Sequence, residues 1–191
     1  MRVRVQSDRV STAGRAAHDI GLAAMVGGNL YGRFAMHPAL REIDDPRERG
    51  AVLNRAWRRY GTISTLSLGA VVAGWLGARA GETRARYLTG RERTLARAKD
   101  AAVGAVALTG LAAAVEGVRF GGLEPDGAVP VVDGNEAAPE ASEPERRLKR
   151  RLNLIGGAHL ISALALAVIN TAIAQVSYRR PPLRRLAFRR Y

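Results

Sequence analysis

The chain has 191 residues, a single-domain length, and its 28 Arg and 2 Lys against 17 Asp and Glu give a net charge of +13. It contains no cysteine, which excludes disulfides, thiolate metal sites and a redox pair. The charges are crowded into blocks separated by nearly uncharged stretches, whereas a soluble amphipathic bundle scatters charge along one face of every helix.

Residues 1–15 are polar and basic, and the reading expects them to be poorly ordered. Arg2, Arg4, Asp8, Arg9 and Arg15 interrupt them, so a cleaved signal peptide is not expected. A first span is expected over about 16–36, with Asp19 near its start, Arg33 near its end and Pro38 at the exit. A short amphipathic helix follows over 41–59, capped by Asp44 and Asp45 and opened by Pro46. Its Leu53 and Trp57, with Tyr60, share one side, which suits a headgroup-level belt before the second span at 61–78.

The third span is placed at 101–118, with Glu116 three residues before Arg119, a spacing that favours pairing on a helix. Residues 121–145 are rich in Pro, Gly and acids and are expected to be a flexible extramembrane loop without a core. Residues 152–178 hold no charge, and as a helix would run about 40 Å, more than a bilayer's ~30 Å hydrocarbon core. A basic cluster, Arg146 to Arg151, precedes this fourth span, and a basic tail, 179–191, follows it. The expected fold is therefore all-α, a bundle of four transmembrane helices occupying 16–178.

With four spans, the N-terminus, second loop and tail share one side and hold 17 Lys and Arg; the first and third loops hold 12. The positive-inside rule then puts both termini in the cytoplasm, and the excess of Arg, Ala and Gly, which looks like the codon bias of a high-G+C bacterium, makes a bacterial inner membrane the expected location. Small residues recur at helical spacing: Gly21, Gly28 and Gly32 in the first span, Ala70, Gly74 and Gly77 in the second, Gly110, Ala114 and Gly117 in the third. Such stripes let helix backbones approach closely, within one bundle or, if one faces outward, in a homo-oligomer. In the fourth span His159, Ser162, Asn170 and Ser177 project within roughly 80° of one another at ~100° per residue, a polar face expected to point into the bundle.

His18 and His159 are expected in opposite leaflets, so only His37 and His159 could share a metal or haem, and no carboxylate or sulfur ligand joins them at ligand spacing. His18 and Asp19 point about 100° apart on a helix and are not set up as a catalytic pair; Arg15 is the expected partner of Asp19. No P-loop, nucleophile elbow or HExxH is present, and neither catalysis nor a cofactor is expected. The arginines lack a recognition module or an aromatic stacking platform, which disfavours nucleic acid. Arg179, Arg180, Arg184, Arg185, Arg189 and Arg190, interleaved with Leu183, Leu186 and Phe188, suit anionic lipid headgroups instead, as does the second loop.

The run HDIGLAAMVGGNLYGRFAMHPAL, the loop ending NRAWRRYG and the Gly/Ala-rich span after it resemble uncharacterised four-span integral membrane proteins of high-G+C bacteria. More distantly, His18, Gly27, Gly28, Pro38, Ala39 and Leu40 are similar to the pattern of copper-resistance-D-like small membrane proteins. The resemblance covers about the first 80 residues. The first group implies no activity, and the second implies copper handling, for which a path lined by Met, His or Cys is wanted; this chain has three Met and no Cys. The reading therefore favours a non-catalytic scaffold, accessory or assembly factor. A small transporter or channel built on His159 and Asn170 is the alternative, followed by a metal- or haem-handling protein and lastly a soluble basic helical protein.

Overall fold

The computed structural model describes residues 2–80 and 88–178. Four long helices hold most of them: α1 (Arg2–Tyr31), α2 (Pro46–Ala80), α3 (Gly90–Gly121) and α4 (Glu143–Tyr178), with no strand among the described residues. Local chemistry sets where they begin. Pro46 opens α2 while the Asp45 carboxylate accepts the Arg47 N–H at 2.8 Å. Thr89 and Glu92 form a capping box at the start of α3, and at the start of α4 the Ser142 N–H donates to Glu145 at 2.6 Å. α1 leaves through a π-turn, Gly32–Met36, followed by one short turn carrying Pro38.

All four helices begin before the spans expected from sequence, α3 at Gly90 and α4 at Glu143 among them. α1 runs back to Arg2, because no proline interrupts residues 2–36 and most of them form helix readily. The expected amphipathic helix over 41–59 is not a separate element. From Pro46 onward it is the first part of α2, since the single Gly61 at the junction weakens a helix by only ~1 kcal/mol and breaks nothing.

Adjacent helices run antiparallel, and small residues fix their register. A Cβ on Gly21 would lie 2.8 Å from the Ser67 carbonyl oxygen and 3.2 Å from Ala70 Cβ. Gly28 lies beneath the Tyr60 ring, Gly32 beneath Trp57, and Gly74 against Gly14 and His18. This series places Asp19 level with Ala70, near the middle of the uncharged stretch 61–78 of α2. In the other hairpin Glu116 meets Arg151, Thr109 meets His159 and Lys99 meets Asn170. These two hairpins are the extensive pairings; contact between them is thinner.

By length and composition α2, α3 and α4 are able to cross a membrane; α1, with Asp19 in its course and Arg33 in the turn after it, does not qualify on the same grounds. All four nevertheless contribute to one core: Leu22 and Met25, Val71 and Trp75, Val103 and Val106, Ala163 and Leu166. Large apolar side chains on the outside remain exposed, among them Phe34, Leu66, Leu108, Leu154 and Val168, each 70% or more.

Segment 121–145 departs furthest from expectation. It has a core: Val129 and Val131 are fully buried with Phe120 at one end of the bundle, packed by Leu148 and Leu152. The Val131 N–H donates to the Pro46 carbonyl at 3.1 Å, and Arg49 reaches the carbonyls of Val131 and Val132. Composition misleads here because the segment borrows its core from the helix ends beneath it. It forms a cap over the α1–α2 connection.

Candidate functional site

Two polar assemblies are candidates, one between the helices and one under the cap. In the first, Asn170 on α4 joins opposite charges from two other helices. Its carbonyl oxygen accepts from the Lys99 ammonium at 2.5 Å and its amide donates to Asp19 at 3.0 Å. Lys99 is buried, 4.5 Å above the Trp75 ring, a cation–π contact. The Trp75 indole N–H donates to Asp100 at 2.8 Å, and Arg79 pairs with the same carboxylate at 3.1 Å. From sequence Lys99 falls in the second loop, 79–100, between the expected second and third spans; α3 instead begins nine residues before it and carries it inward.

The histidines are engaged singly. His18 Nδ1 lies 2.8 Å from the Val71 carbonyl and therefore carries the donated proton, while its buried Nε2 has no hydrogen-bond partner. Thr109 gives its hydroxyl proton to the Ala105 carbonyl at 2.6 Å, so its oxygen accepts from His159 Nδ1 at 3.0 Å. His18 is level with Val71, and His159 lies beside Leu68 across Gly110, one helical turn away. The register therefore sets the two at levels about one helical turn apart, closer than the sequence suggests. No group of three or more His, Asp or Glu able to hold a metal occurs among the described residues.

The remaining expected site residues divide. Gly21, Gly28, Gly32, Ala70 and Gly74 make the α1–α2 seam, and Gly110 admits the His159 ring at 3.1 Å. Gly77 and Gly117 face open space and Ala114 is exposed, so among the described residues the two glycines meet no neighbour. Of the polar face on α4, His159 and Asn170 turn inward, whereas the Ser162 hydroxyl donates to the Ala158 carbonyl of its own helix at 2.8 Å. The side chain of Ser177 and the tail arginines, Arg179, Arg180, Arg184, Arg185, Arg189 and Arg190, lie outside the described residues. The Asp19 hydrogen bond is supplied by Asn170, while Arg15 reaches Thr12 at 3.4 Å.

The second assembly is at the cap. An indole N–H only donates, so His37 Nε2 accepts from Trp57 at 3.1 Å and His37 Nδ1 carries the proton given to Asn135 at 3.0 Å. Gly134 presses on the His37 ring, leaving no room for a side chain, and Gly50 does the same beneath the Val129 carbonyl. The Arg41 guanidinium pairs with buried Asp133 at 2.7 Å. Lys149 donates to the Gly134 carbonyl at 2.5 Å, and Asn153 donates to the Asn135 carbonyl. Burial pulls the Lys149 ammonium down to about 8, against the pull of Asp133 upward. Burial likewise holds His37 below its ordinary 6.5, the Asn135 bond opposing it. Beside the cap, Glu116 is buried and its Oε1 receives Arg119 at 3.2 Å, the expected pairing, and also Arg151 at 2.9 Å.

None of this cap chemistry was singled out from sequence. The signal present was the coincidence of Gly-Asn-Glu after two valines with a lone Lys in an arginine cluster. No family model, curated protein or solved structure matches the chain.

Proposed function

We propose that the chain is a polytopic protein of a bacterial inner membrane, both termini cytoplasmic, acting without catalysis as a scaffold, accessory or assembly factor. The observation that carries this reading is how the polar groups are used. Asp19, Lys99, Asn170 and His159 are tied into helix-to-helix hydrogen bonds, and the space between the helices is filled by Met25, Val71, Val106, Ala163 and Leu166, all fully buried. A transport path needs polar groups facing open water, and the polar face of α4 is occupied in holding its neighbours. Function is then left to the outer surfaces: apolar helix faces suited to lipid or another membrane protein, and a folded cap suited to an extramembrane partner. The four-span family resemblance belongs with this reading.

The test is fractionation followed by co-purification. The protein should resist carbonate and yield to detergent, and in mild detergent it should bring down a membrane-protein partner. Release by carbonate ends the membrane reading. A reconstituted flux abolished by His159→Leu, with melting unchanged, ends the scaffold reading in favour of a transporter.

A further inference from the structure

An open groove of about 520 Å³ runs between α3 and α4 beside the cap, where Arg119, Arg147 and Arg151 surround Leu123, Leu148 and Glu116. A second groove of about 430 Å³, lined by Leu108, Thr109, Ala112, Leu154, Ile155 and Ala158, lies farther along the same pair of helices. The two are one seam. On α3 the residues Leu108, Ala112, Glu116 and Arg119 follow each other at helical three- and four-residue steps, and on α4 so do Arg147, Arg151, Leu154 and Ala158. The seam is cationic at its cap end and apolar for the next ~10 Å, seven residues of α4 at ~1.5 Å each.

We propose that this seam binds one anionic phospholipid, phosphate among the arginines and an acyl chain along the apolar floor. The proposal rests on the membrane reading above and concerns the end opposite the second loop and tail. Three features favour that occupant. Glu116 Oε1 holds Arg119 and Arg151 from opposite walls, fixing two guanidiniums while most of their N–H groups stay free at 61% and 63% exposure. Guanidiniums present forked donors that match phosphate oxygens. Three arginines line the groove, Arg119, Arg147 and Arg151, against one carboxylate, Glu116, and Glu143, the partner of Arg147, is shared with Arg146 and Arg150, so the mouth keeps an excess of positive charge that a net-neutral headgroup leaves unanswered. Leu108 and Leu154, 71% and 75% exposed, supply a floor that a free phosphate has no means of using.

The experiment is native mass spectrometry of the full chain in mild detergent, titrated with phosphatidylglycerol, phosphatidylcholine or glycerol phosphate. Wild type should retain one phosphatidylglycerol, preferred about tenfold or more over phosphatidylcholine. Arg147→Gln with Arg151→Gln should lose about tenfold, while Arg58→Gln with Arg59→Gln, the same charge change on α2, should not. Ala112→Trp fills the floor without touching charge and should also lose binding. Equal retention of the two lipids, equal effects of the two double variants, or an unaltered Ala112→Trp each overturn the proposal. Glycerol phosphate competing as well as lipid would reduce the site to an anion site and overturn it too. A protein extracted as integral but showing no preference defeats this proposal alone, whereas one released by carbonate defeats the membrane reading beneath it.

Discussion

His37 is a junction whose protonation state is set by its neighbours. Trp57 donates to Nε2, so an imidazolium there would turn two N–H groups toward each other. Burial holds the folded pKa below 6.5, with Lys149 and Arg33 adding to the shift and Asn135 and Asp133 opposing it. The unfolded state therefore binds the proton first. The contribution is complete above 6.5 and declines as pH falls from there toward the folded value. Amide exchange of residues 129–138 should accelerate on acidification below pH 6.5, and the response should flatten in His37→Ala; a pH-independent exchange rate would contradict it. Gly50 is a second pressure point. A methyl there meets the Val129 carbonyl, so Gly50→Ala should lower stability by about 2 kcal/mol, read from thermal unfolding in detergent.

Between helices, the decisive pieces are Asn170 and the glycines of α1. Asn170→Leu takes the hydrogen-bond partner from the buried Lys99 ammonium and should lower stability by about 3 kcal/mol, whereas a neutral outcome would mean that the Trp75 face alone suffices. Gly28→Ile drives into Tyr60 and should cost about 2–3 kcal/mol of monomer stability; Gly117→Ile, facing open space, should stay within about 0.5 kcal/mol. The stripe Gly21, Gly28 and Gly32 was readable in sequence because close approach demands small residues. Gly117 looks the same yet meets no neighbour among the described residues, since an outward helix face also tolerates a small residue. The level of Asp19 was not readable, because the pairing register depends on how the π-turn and Pro38 redirect the chain. Hydropathy sees only the residues along a helix, never the ones across from it.

At the scale of the molecule, the cysteine-free chain lends itself to single-cysteine mapping. Cysteines at Val72 and Ala165 should resist a water-soluble maleimide in intact membranes, while one at Glu136, exposed on the cap, should react from the outer face only. Rapid labelling at both buried-depth positions would mean that water surrounds these helices. The all-helical architecture and the three helices long and apolar enough to cross a membrane follow from uncharged stretches with charged ends, which is why composition sufficed for them. The cap escaped because Val129 and Val131 are two apolar residues in a polar segment, and their burial depends on Phe120, Leu148 and Leu152 brought from elsewhere.

Because the α3–α4 loop hydrogen-bonds to Pro46 and presses on His37, the two halves of the chain are fastened by parts synthesised about a hundred residues apart. The first hairpin leaves the ribosome with Gly50 and His37 uncovered and stays so until Val129 and Gly134 emerge. A chaperone or protease that reaches this end of the bundle thus meets an unlatched intermediate until the start of α4 brings Leu148 and Leu152 under the cap.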